Sequence, residues 1–68
     1  MIRLNFDTTQ HTAEISENNT IIAKYENVTT VRHQDKTYEV IVKLNNDVAA
    51  PVCKLPVEQT IYFLNHGN

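Results

Sequence analysis

From residue 2 to residue 6 the chain alternates, with Ile2, Leu4 and Phe6 on one face and Arg3 and Asn5 on the other. A half-buried β-strand imposes this period of two, because successive side chains leave opposite faces of the pleat. Asp7-Thr8-Thr9-Gln10-His11 then reads as a turn, and residues 12–15 as a return strand with Ala13 and Ile15 inward. Ser16-Glu17-Asn18-Asn19 is a second turn. The segment after it is Thr20-Ile21-Ile22-Ala23-Lys24-Tyr25, whose three consecutive β-branched residues suit a pleated surface better than a helix. Glu26-Asn27 interrupts it, and residues 28–33, rich in Val and Thr, resume as a strand.

The strongest local signal follows. Gln34-Asp35-Lys36 separates that strand from residues 37–44, where Tyr38, Val40, Val42 and Leu44 share one face and Thr37, Glu39, Ile41 and Lys43 the other. This predicts a β-hairpin. Asn45-Asn46-Asp47 closes the strand with residues that tolerate left-handed backbone. Residues 48–55 are extended but contain Pro51, which has no N–H to give to a ladder, so the segment is expected at an edge or as an extended loop. Thr60-Ile61-Tyr62-Phe63-Leu64 makes a final strand; Pro56 with Glu58-Gln59 also allows one short helical turn near 57–64. Residues 65–68 are expected to form a frayed C-terminal tail.

The pattern therefore predicts an all-β chain, a single domain over residues 1–64 built as a small antiparallel barrel or sandwich of about five to seven short strands. Its 68 residues and 41% hydrophobic content allow one thin core and exclude two domains. Cys53 is the single cysteine, so no intramolecular disulfide supports that core, and oligomerisation is one route to extra stability. The alternation begins at the N-terminus in place of the basic and long apolar stretches of a signal peptide, and no apolar run approaches the roughly 18 residues that span a bilayer. A cytoplasmic chain with no membrane partner is expected.

Six basic residues, Arg3, Lys24, Arg32, Lys36, Lys43 and Lys54, are scattered in a chain of net charge −2. That balance argues against nucleic acid as a partner, because phosphate binding depends on clustered cations. Zinc is disfavoured as well: among His11, His33, His66 and Cys53 no two lie closer than Cys53 and His66, far outside the spacing of ligand pairs. Cys53 has no adjacent base, and Lys54 points to the opposite face of a strand, so a structural thiol is expected there. The eight carboxylates are spread over turns and solvent faces, and no phosphate loop or nucleophile elbow occurs. No catalytic, cofactor or metal residue is assigned, and the chain is not expected to be an enzyme.

One anomaly points to a function. Val40-Ile41-Val42 and Ile61-Tyr62-Phe63-Leu64 are apolar on both faces, in a chain with little material to cover a second face. The second face is expected to be covered either by the fold itself, a closed barrel or two-layer sandwich burying one side with loops shielding the other, or by another protein or a second copy. The expectation is a non-enzymatic protein–protein interaction module, either a self-associating structural subunit or a small accessory or inhibitor protein. Tyr38, Ile41, Tyr62 and Phe63 are its candidate contact residues, and Asp35 and Lys36 its polar rim. The alternative is an OB-like or SH3-like barrel binding single-stranded nucleic acid through its aromatic residues. In its richness in Asn, Thr, Ile and Val and its single glycine, the chain resembles small accessory proteins of phages and mobile elements, a likeness of style carried by no motif.

Overall fold

Left-handed backbone at adjacent non-glycine residues sets the strand reversals. Asn18 and Asn19 have φ of 52° and 65°, and Asp35 and Lys36 have 52° and 63°. Two consecutive residues of positive φ give the two-residue reversal whose twist matches that of the strands it joins. A computed structural model describes residues 1–66, and in it seven strands follow one another: β1 Ile2–Asp7, β2 Thr12–Glu17, β3 Thr20–Tyr25, β4 Val28–Gln34, β5 Thr37–Lys43, β6 Ala49–Pro56 and β7 Thr60–Asn65. A 3₁₀ turn, Val57–Gln59, precedes β7. The all-β architecture and the inward placement of Leu4, Phe6, Ala13 and Ile15 follow the alternation.

The strands form two sheets, one in the order β3-β2-β1-β7 and one in the order β4-β5-β6, without closing into a barrel. Leu4, Phe6, Ala13 and Ile15 from the first sheet and Val28, Val40, Val42 and Leu55 from the second make one core cluster between them. Two corners carry the chain from sheet to sheet. At Glu26-Asn27, Val28 N–H donates to the His11 carbonyl at 2.8 Å and Lys43 N–H to the Asn27 carbonyl at 2.9 Å. At the 3₁₀ turn, Val57 N–H donates to the Lys36 carbonyl at 3.0 Å and Thr60 Oγ1 to the Pro56 carbonyl at 2.7 Å.

One pair departs from the antiparallel expectation, since β7 runs parallel to β1 in unbroken register from Ile2↔Thr60 to Asp7↔Asn65. The four antiparallel pairs β1–β2, β2–β3, β4–β5 and β5–β6 are joined through the two corners between sheets, and the second corner returns the chain beside β1 in the direction of β1. The helical turn allowed over 57–64 is confined to its first three residues, because β-branched and aromatic residues from Thr60 onward favour the strand. The final strand also reaches one residue past 64. Asn65 belongs to β7, and its carbonyl accepts from Thr8 N–H at 2.9 Å and Thr8 Oγ1 at 3.2 Å. Of the expected tail, Gly67 and Asn68 lie outside the described residues.

Candidate interaction surface

The two strands that read as apolar on both faces are treated differently by the fold. In β5, Val40 and Val42 enter the core and Ile41 faces outward, yet Ile41 is only 8% exposed. Its register neighbours are Thr30 on β4 and Pro51 on β6, so the central strand is flanked on that face from both sides. In β7, Ile61 and Phe63 face outward at 39% and 41% exposure, and Leu64 is 45% exposed at the open rim of the inner face. The uncovered second face is therefore that of β7.

The candidate contact residues do not form one patch. Tyr38 and Tyr62 are half-buried and pack against the core, with ring centroids 5.2 Å apart and planes inclined at 42°. His33 extends the row, 5.2 Å from Tyr38. Ile41 lies on the outer face of the three-stranded sheet and Phe63 on that of the four-stranded sheet, while Asp35 and Lys36 sit at the β4–β5 hairpin tip. Among the Phe and Tyr rings, Phe6 is buried and Tyr25, Tyr38 and Tyr62 are half-buried, which leaves Phe63 exposed. Burial, and then the neighbouring Tyr38, push the Tyr62 phenol above its ordinary value. Burial, and then the Cys53 thiol and its hydrogen bond, do the same to Tyr25. Cys53 itself packs against the core.

Around β7 the outer face is ordered in cross-strand rows. Ile61, Arg3, Ser16 and Ile21 make one row, and Phe63, Asn5, Glu14 and Lys24 the next. The Arg3 guanidinium stands over the exposed Phe63 ring, 5.7 Å from its centroid, a cation–π placement. The outer face of the other sheet carries a charged row instead. Arg32, Glu39 and Lys54 are in register across β4, β5 and β6, with Arg32 Nε and Nη2 donating to Glu39 Oε1 at 3.2 and 3.0 Å and Lys54 Nζ 3.9 Å from Glu39 Oε2.

The four sheet edges differ in how they resist strand addition. β3 carries a bulge at Ile22 and a charge at Lys24. β4 carries a bulge at Thr29 and a charge at Arg32. β6 carries Pro51, Pro56, Lys54 and a bulge at Val52. Bulges, prolines and charges are the devices by which sheet edges avoid pairing with other chains. β7, Thr-Ile-Tyr-Phe-Leu-Asn, has none of them. Residue reading named Tyr62 and Phe63 but missed Ile61 and Leu64; the signal available was the run of six uncharged, proline-free residues.

At the Glu26-Asn27 corner a shallow open depression of about 660 Å³ is lined by Gln10, His11, Asn27, Lys43, Asn45 and Asp47 among others. Its two charges are already joined, Lys43 Nζ to Asp47 Oδ1 at 3.3 Å. Among the described residues no three His, Cys, Asp or Glu side chains converge as metal ligands, and no helix is long and apolar enough to cross a membrane. Comparison with protein-family models, curated proteins and solved structures finds no match to this chain.

Proposed function

We propose that the chain is a non-enzymatic interaction module that engages another protein by strand addition along β7. The observation that supports this is the unguarded edge itself, uncharged, free of proline and bulge, and flanked by exposed Ile61, Phe63 and Leu64. An added strand supplies main-chain hydrogen bonds for affinity, and alternate side chains on the two faces supply specificity. Either form of the module, a self-associating subunit or an accessory protein docked on a larger one, uses the same edge. The proposal puts it in the cytoplasm, where a lone thiol such as Cys53 stays reduced.

Leu64→Pro tests it. Leu64 N–H faces away from β1, so proline there removes an edge donor without removing a bond from the β1–β7 ladder. Binding partners captured by the wild-type chain, a second copy of itself included, are expected to be lost by a folded Leu64→Pro protein. Partners held equally by both proteins would overturn the role of β7.

A further inference from the structure

Resting on β7 as the docking edge, we propose that its occupant is a second copy of this chain, paired antiparallel through β7 about a two-fold axis at Phe63. The bonding pattern of the strand is self-complementary and sets the register. Thr8 N–H donates to the Asn65 carbonyl, so the main-chain groups of Asn65, and by alternation those of Phe63 and Ile61, turn toward β1. Those of Thr60, Tyr62 and Leu64 turn toward the free edge. Thr60 N–H is taken by the Val57 carbonyl, which leaves Tyr62 and Leu64 to offer a donor and an acceptor each.

A two-fold axis at Phe63 sets Tyr62 of each copy opposite Leu64 of the other. Residues that exchange both bonds are directly opposed in an antiparallel ladder, so all four groups on each copy are satisfied in four hydrogen bonds. Centring the axis on Tyr62 instead would set Leu64 against Thr60, whose donor is spent. The chosen register also puts Phe63 against Phe63 at a non-hydrogen-bonded site, where side chains approach most closely and aromatic pairs contribute most.

Charge permits the pairing. No residue of β7 is ionisable as an acid or base near neutral pH. The nearest charge on that face, Arg3, has its backbone one strand inward, three strand spacings or about 14 Å from that of its symmetry mate, and each guanidinium is held over the Phe63 ring of its own copy. Because the other three edges are bulged and charged, an isologous pair closes on itself and does not grow into a fibre. One six-residue edge buries less than the roughly 1,200 Å² typical of stable complexes, so the dimer is weak and concentration-dependent.

The test is sedimentation equilibrium of the full chain from about 10 μM to about 1 mM, a range that brackets a weak complex. The wild-type chain is expected to pass from monomer to dimer. Phe63→Glu and Phe63→Lys, each placing like charges across the axis, are expected to weaken the dimer by about 100-fold or more, and an equimolar mixture of the two to restore it. On the wild-type chain, amide exchange is expected to slow with concentration at Tyr62 and Leu64, a readout that requires no variant. A wild-type chain that stays monomeric at the highest concentration, a dimer unaffected by Phe63→Glu, or protection on β3 in place of β7 would overturn the proposal. If the wild-type chain is monomeric but another protein is captured and lost with Leu64→Pro, self-pairing fails and the docking edge stands.

Discussion

The Tyr38 and Tyr62 rings meet with centroids 5.2 Å apart, and because Tyr38 lies on β5 and Tyr62 on β7, this contact joins the two sheets. It sits on the side of the molecule where the chain crosses from β6 to β7 through three residues of 3₁₀ turn. Total stability for 68 residues is about 3 to 10 kcal/mol, so one such contact is a large share. Tyr38→Ala and Tyr62→Ala are each expected to cost about 2 kcal/mol, less than a fully buried aromatic would. In a double-mutant cycle by urea denaturation, a coupling of about 1 kcal/mol is expected between them. Additive losses would show that the rings act separately.

Alkaline pH should destabilise the fold through the same side chain. Tyr62 and Tyr25 have folded-state pKa values raised above the ordinary 10.0, chiefly by burial. Above pH 10 the unfolded chain releases these protons before the folded one, so it binds fewer protons and stability falls as pH rises. Their contribution is complete below the unfolded value and is lost as pH climbs through the raised one. Denaturation midpoints measured from pH 8 to pH 11, about the span of tyrosine ionisation, are expected to fall less steeply in Tyr62→Phe than in the wild-type chain.

Glu39 is 5% exposed on an outward face, and Arg32 supplies both of its short contacts while Lys54 stands off at 3.9 Å. Arg32→Ala leaves a buried carboxylate with one distant cation and is expected to cost about 1 to 2 kcal/mol, between the exposed and buried extremes for ion pairs. Lys54→Ala should stay within about 0.5 kcal/mol. Thermal melts of the two variants side by side check the ordering, and equal losses would contradict it.

Lys36 holds φ at 63° in the β4–β5 reversal, a conformation that crowds its Cβ. Glycine has no Cβ and is the preferred second residue of such a turn after aspartate, which already stands at position 35. Lys36→Gly is expected to stabilise the domain by about 0.5 to 1 kcal/mol, read as a higher urea midpoint at unchanged slope.

Of the about five to seven strands expected, those over residues 2–6, 12–15, 20–25, 28–33, 37–44 and 60–64 lie nearly in their observed places because the signals that specify them are local, and residues 48–55, expected as an edge or an extended loop, form the edge strand β6. Alternation in residues 2–6 and 37–44 separates faces, and Asn18-Asn19 and Asp35-Lys36 reverse the chain with residues that accept positive φ. The same alternation put Tyr38 with Val40 and Val42, and the structure finds that row facing the core. The contact surface was less legible. Ile41 and Phe63 look alike as apolar residues on outward positions, yet one is 8% exposed and the other 41%.

Most strand positions, the turns and the division of β1, β2 and β5 into two faces were thus determined by the sequence alone, because each depends on residues a few positions apart. The tertiary structure decided what lies against each face and which strands end a sheet. Ile41 is covered because β4 and β6 flank its strand, and Phe63 is not because β7 has only β1 beside it. An edge is a property of strand order, set by pairings between residues as far apart as Ile2 and Thr60. No local pattern carries it.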